Sequence, residues 1–216
     1  MSFIIVLSTI GIKGEDLAYY QMTKPFAALL DTSTDRYRLR FSEKKKSIAI
    51  VSSDISVDSM YFLLKKQIAE RSVSHPELMG KAPLEKQFYY DSLTWLNRQR
   101  VAYIQYNPTL YYSKITCPVL AICGDADENI DYKSNLDGIK NIFNSVNKKN
   151  YTIKVIKNVD HGYKLINKND PKYSLNLLSA DGATNKSDSS GGNKKPPKYK
   201  SSKEMFDIVT AWIMRN

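Results

Sequence analysis

The sequence predicts an α/β fold with three parallel strands, and two apolar runs joined by a helix carry that prediction. Pro118-Val119-Leu120-Ala121-Ile122-Cys123-Gly124 and Tyr151-Thr152-Ile153-Lys154-Val155-Ile156 are short segments that each stop at a polar loop. Between them, residues 132–146 place Leu136, Ile139, Phe143 and Val146 at helical spacing. A strand, helix, strand unit makes its strands parallel neighbours with a right-handed crossover, so both following loops open at the same carboxyl edge of the sheet. A third run, Phe3-Ile4-Ile5-Val6-Leu7, is continuously apolar. That is the pattern of a parallel strand covered on both faces.

The other elements follow from periodicity. Residues 15–106 show no clear strand, and within them 57–71 (Met60, Leu63, Leu64, Ile68) and 88–103 (Leu93, Leu96, Val101) read as helices. The aromatic residues of this stretch, Tyr61, Phe62, Tyr89, Tyr90 and Trp95, either hold the helices together or line a cavity. Residues 167–202 form a polar insertion, rich in Gly and Ser and poor in apolar residues, that cannot recover the entropy of ordering. After it, Ser202-Lys203-Glu204 opens an amphipathic helix with Met205, Ile208, Val209, Trp212 and Ile213 on one face. The return of a helix after the insertion favours one domain over residues 1–216, and no internal repeat is present.

Two polar side chains stand where such a sheet exposes its loops. Asp127 follows the run ending at Gly124, and His161 follows the run ending at Ile156. Neighbouring strands lie about 4.8 Å apart, so a carboxylate on one loop can reach an imidazole on the next. Asp127 also has plainer roles open to it, as a loop carboxylate or as part of a helix start near Asp131. His161 is one of two histidines; the other, His75, precedes Pro76 and reads as an exposed loop residue.

Ile115-Thr116-Cys117-Pro118-Val119-Leu120, then Gly124-Asp125-Ala126-Asp127, then Asn158-Val159-Asp160-His161-Gly162 resembles the C-terminal half of an α/β-hydrolase, and the opening strand resembles one of the lidded bacterial esterases and serine aminopeptidase-like members. The resemblance implies that the strands are the last three of the family sheet and that Asp127 is the triad acid and His161 the triad base. It also implies that residues 15–106 are a helical cap inserted between the first two strands. The substrate class implied is a carboxylic ester or amide.

The family's nucleophile is absent from the pattern. No Gly-x-Ser-x-Gly elbow occurs, Ser2 and Ser8 flank a strand, and Ser52, Ser53, Ser56 and Ser59 have no glycine framing. The isolated chain is therefore expected to be inactive. An apolar strand at a sheet edge is a template for pairing, so residues 3–7 are expected to meet a partner: a separately encoded N-terminal half, a second copy of the chain, or sequence removed by truncation or a frameshift. The alternative is a non-enzymatic interaction module that retains part of the fold.

Composition narrows the remaining classes. The net charge of +10 and the 15 tyrosines suit phosphate and base contacts, but the lysines are scattered and no nucleic-acid module pattern appears. No nucleic-acid partner is expected. The acidic run Asp125, Asp127, Glu128 and Asp131 does not have EF-hand spacing, so neither a metal nor a cofactor is predicted. Cys117 and Cys123 flank one strand and stand too far apart to bridge. No apolar stretch is long enough to span a membrane, no targeting signal is legible, and the compartment stays open.

Overall fold

The structure is a computed structural model and describes residues 2–27, 34–167 and 201–215. The polar insertion expected at 167–202 lies, from 168 to 200, outside the described residues. The chain divides into two compact units, one of Met1–Gly11 with Tyr111–Asn216 and the other of Ile12–Leu110.

The first unit is built on a parallel sheet of three strands, β1 (Ile4–Leu7), β2 (Val119–Gly124) and β3 (Tyr151–Ile156), in the order β1-β2-β3. Ile4 pairs with Val119 and Val119 with Tyr151, while at the other end Gly124 pairs with Ile156. All six residues of β2 are buried because helices cover both its faces. Val119, Ala121 and Cys123 pack with Leu136, Ile139 and Phe143 of a helix spanning Tyr132–Ser145. Leu120 and Ile122 point the opposite way, onto Met205, Ile208, Val209 and Trp212 of the helix Lys203–Ile213. A strand alternates its side chains between faces, so one apolar run fills two half-cores.

The two helices start where capping residues direct. Asp131 accepts a hydrogen bond from Ser134 N, and Ser202 accepts one from Met205 N, each satisfying an orphan donor of the first turn. The exit from β1 is fixed by Asn135, whose Oδ1 accepts from Gly11 N at 2.9 Å. Only glycine fits there, because a Cβ would stand 1.9 Å from the Asn135 carbonyl oxygen.

β1 departs from expectation in its burial. Its apolar run predicts cover on both faces, yet Ile4, Ile5 and Val6 are half-buried and Leu7 is 43% exposed. The reason is position: among the described residues β1 is a sheet edge with a strand on one side only.

The second unit is helical, with α1 (Gly14–Ala27), α2 (Asp35–Ser52), α3 (Val57–Ser74), α4 (Leu84–Trp95) and α5 (Arg98–Ile104). Its core gathers Ala18, Ile48, Val51, Leu64, Trp95 and Ile104. The helix predicted over 88–103 is two helices, because Asn97 restarts the chain by accepting from Arg100 N at 2.8 Å. The helix predicted over 57–71 runs on to Ser74 and stops before His75-Pro76, where proline restricts the preceding residue. His75, expected to be exposed, is half-buried and lies 3.4 Å from Glu77.

α2 has no counterpart in the sequence reading, since basic residues dilute its apolar face to Phe41, Ile48 and Val51. A buried carboxylate, Glu43, holds it to α3: Gln67 Nε2 donates to its main-chain oxygen at 2.8 Å and to its Oε2 at 3.1 Å. Of the aromatic residues, Trp95 is core and Tyr61 meets the Phe88 ring edge at 4.7 Å, whereas Phe62, Tyr89 and Tyr90 are exposed. An open cavity of about 470 Å³ lies among Tyr19, Tyr37, Arg38, Phe41 and Lys45.

For the remaining sequence features, both cysteines are free thiols. Among the described residues no helix is long and apolar enough to cross a membrane.

Candidate active site

The carboxyl ends of β2 and β3 build the site. Beyond Gly124 the chain leaves β2 along the loop after β3, with Asp125 N donating to Ile156 O at 2.9 Å and Ala126 N to Val159 O at 3.2 Å. This close approach requires glycine at 124, because a Cβ there would stand 2.1 Å from the Val159 oxygen. Asp125 braces the same junction, accepting from Asn158 N at 2.6 Å and lying 3.4 Å from Lys157 Nζ. Three residues after Gly124, Asp127 turns its carboxylate inward.

Asp127 has no exposed side-chain surface, and its partners are arranged around both oxygens. Oδ1 accepts from Asn129 N at 2.9 Å and from Ile130 N at 3.0 Å. Oδ2 lies 2.8 Å from His161 Nδ1 and 3.7 Å from the Cys123 thiol, which donates to it. A buried carboxylate without such donors would be strongly disfavoured, so these bonds are the condition for its burial.

His161 is presented by a self-closed turn. Asp160 Oδ1 accepts from Gly162 N at 2.9 Å and Lys164 N at 2.8 Å, Tyr163 N donates to Asp160 O, and Asp160 N donates to Lys164 O. The imidazole stays 41% exposed. Among the described residues Nδ1 alone of its ring nitrogens makes a hydrogen bond, leaving Nε2 open. With Nδ1 facing a carboxylate, the neutral ring carries its proton on Nδ1, and Nε2 is the unprotonated nitrogen.

Three more side chains pack beside the pair. Ser8 ends β1 with a left-handed backbone, φ 45°, and its hydroxyl donates to Tyr163 Oη at 3.3 Å while lying 3.9 Å from Cys123 Sγ. Burial first, and then the Asp127 carboxylate, push the Cys123 thiol up to about 12. It is therefore a thiol at neutral pH and no nucleophile. The sequence does not single out these residues, although Ser8 at a strand end and Tyr163 two positions beyond His161 are the available signals.

No family model, curated protein or solved structure matches this chain. Asp127 and His161, separate in sequence, are brought together. Their plainer readings separate as well, since Asp131 rather than Asp127 caps the following helix. Among the described residues no cluster of three or more His, Cys, Asp or Glu side chains is placed to hold a metal ion.

Proposed function

We propose that Asp127 and His161 are the acid and base of a hydrolase of α/β-hydrolase type acting on carboxylic esters or amides, and that residues outside this sequence supply the nucleophile. The observation that carries this reading is the 2.8 Å contact of His161 Nδ1 with a fully buried Asp127 carboxylate, while the rest of the imidazole stays open. Its position at the carboxyl edge of a parallel sheet, where α/β enzymes place their chemistry, supports it further.

The mechanism follows from the tautomer. Nε2 takes the proton of an attacking hydroxyl, Asp127 steadies the imidazolium that forms, and Nε2 returns the proton to the leaving alkoxide or amine. The Ser8 hydroxyl donates to Tyr163 and the Cys123 thiol to Asp127. Among the described residues no strand pairs with the outer edge of β1, and that edge suits a parallel strand that would bring a serine and its oxyanion donors alongside. Ile4 N and Ser8 N donate to β2, so by strand alternation the backbone groups of Ile5 and Leu7 face that edge.

The same edge favours a second reading. With Leu7 exposed and no strand beyond β1 among the described residues, strand addition without catalysis makes the chain an interaction module. One experiment separates the two: p-nitrophenyl butyrate hydrolysis and fluorophosphonate labelling, run on the recombinant chain and on the complex purified from its native cells. The hydrolase reading expects a silent recombinant chain. It also expects an active complex, with the labelled serine on the partner and activity lost on His161→Ala. A complex with no labelled serine overturns it in favour of the module, and a labelled serine on this chain overturns the need for a partner.

A further inference from the structure

We infer that Tyr163 is a positioning residue, whose phenol holds the His161 turn against the sheet so that Nδ1 stays on Asp127. The importance of this for catalysis rests on the acid–base reading above. The geometry stands without it.

Tyr163 lies two residues after His161, inside the turn that Asp160 closes, and its backbone is left-handed at φ 58°. That conformation is unfavourable for a bulky side chain by about 1–2 kcal/mol, so the surroundings must hold it in place. The ring does so by burial. It is 7% exposed, within the cluster of Leu120, Ile122, Ile156, Val159 and Met205.

The hydroxyl makes the specific contact. It donates to Ile122 O on β2 at 2.7 Å, across 41 residues of sequence, and accepts from Ser8 at the end of β1 at 3.3 Å. A phenylalanine would fill the same apolar site without any polar atom to satisfy. A phenol buried there is favourable only because it finds partners, and those partners are the strand ends beside the acid. Ser202 N donates to Tyr163 O at 2.9 Å and ties the turn from its other side. Remove the phenolic oxygen and the turn keeps its internal bonds but loses its bond to β2. Ile122 O stays satisfied by Ser8 N at 2.9 Å, so the strand pair survives the change.

The test reads the imidazole itself. With two histidines in the chain, a His75→Gln background leaves one ring to observe, and its ¹⁵N shifts report the tautomer. Tyr163→Phe is expected to raise the Nε2–H population several-fold and to speed exchange of the Nδ1 proton several-fold, with the far-ultraviolet circular dichroism unchanged. A Tyr163→Phe protein that folds and keeps both values overturns the proposal. If it does not fold, the wild type decides: the Nδ1 proton of His161 and the phenolic proton of Tyr163 should exchange through one opening event, and exchange at independent rates overturns the proposal. Neither readout involves ester hydrolysis, so the positioning role and the hydrolase reading fail separately.

Discussion

Asp127 Oδ2 lies 2.8 Å from His161 Nδ1 across 34 residues of chain, and the carboxylate that makes this contact is fully buried while the imidazole is not. The asymmetry is what a base needs. One partner is held in a low-dielectric site by backbone donors, and the other keeps a nitrogen in solvent. Four expectations follow from this site and from the packing around it.

Asp127→Ala leaves Asn129 N and Ile130 N without their acceptor. A buried donor left unmade costs about 1–3 kcal/mol, so the urea midpoint should fall accordingly. Asp127→Asn keeps one oxygen and should lose less stability. Its amide group can nevertheless turn a donor toward His161, which moves the ring proton from Nδ1 to Nε2, a change visible in ¹⁵N shifts.

Gly124→Ala should disrupt the site more than its one added methyl suggests. The Cβ would meet Val159 O at 2.1 Å, and that oxygen belongs to backbone that joins the end of β2 to the loop after β3. Overpacking of this kind costs about 1–3 kcal/mol. Separation of the two loops should also weaken the Asp127–His161 contact, so His161 tautomer and melting temperature should change together.

Stability should fall in strong alkali. Burial pushes both the Tyr163 phenol and the Cys123 thiol up to about 12, against unfolded values of about 10 and 8.5. Groups raised in the folded state stabilise it fully below their unfolded pKa, and that contribution is lost as pH rises through the window up to the folded pKa. Urea midpoints measured between about pH 8 and 11.5 should decline, and Cys123→Ala should flatten the first part of the decline. A midpoint constant over that range would contradict the buried environment of both groups.

In the helical unit, Gln67→Leu removes both hydrogen bonds to Glu43. Burial by itself pushes the Glu43 carboxyl up, but the hydrogen bonds of Lys46 and Gln67 and the Lys46 charge outweigh it and hold it below the usual range. Without Gln67 the buried carboxylate keeps Lys46 at 2.6 Å and loses its other side-chain donor to Oε2. Denaturation should come at a lower urea concentration, corresponding to a loss of about 1–3 kcal/mol of stability. The loss should be larger at pH 7 than in acid below the lowered Glu43 value, where a protonated Glu43 needs less compensation.

The sequence alone determined the elements whose pattern is strong and local. Runs such as Val119–Gly124 and Tyr151–Ile156, with the Leu136, Ile139, Phe143 spacing between them, specify strand, helix and strand through side-chain period, and period is a property of consecutive residues. The placement of Asp127 and His161 at one sheet edge was legible for the same reason. Weak patterns were not, so α2 was missed and one predicted helix proved to be two, restarted by Asn97. Tertiary structure alone decided that among the described residues β1 is a half-exposed edge, that Asp127 lies wholly buried against donors from its own loop and His161, and that Ser8 joins Tyr163 and Cys123, the latter in contact with Asp127. Burial and hydrogen bonding between residues far apart in sequence depend on the register of packed strands, and no local period carries that register.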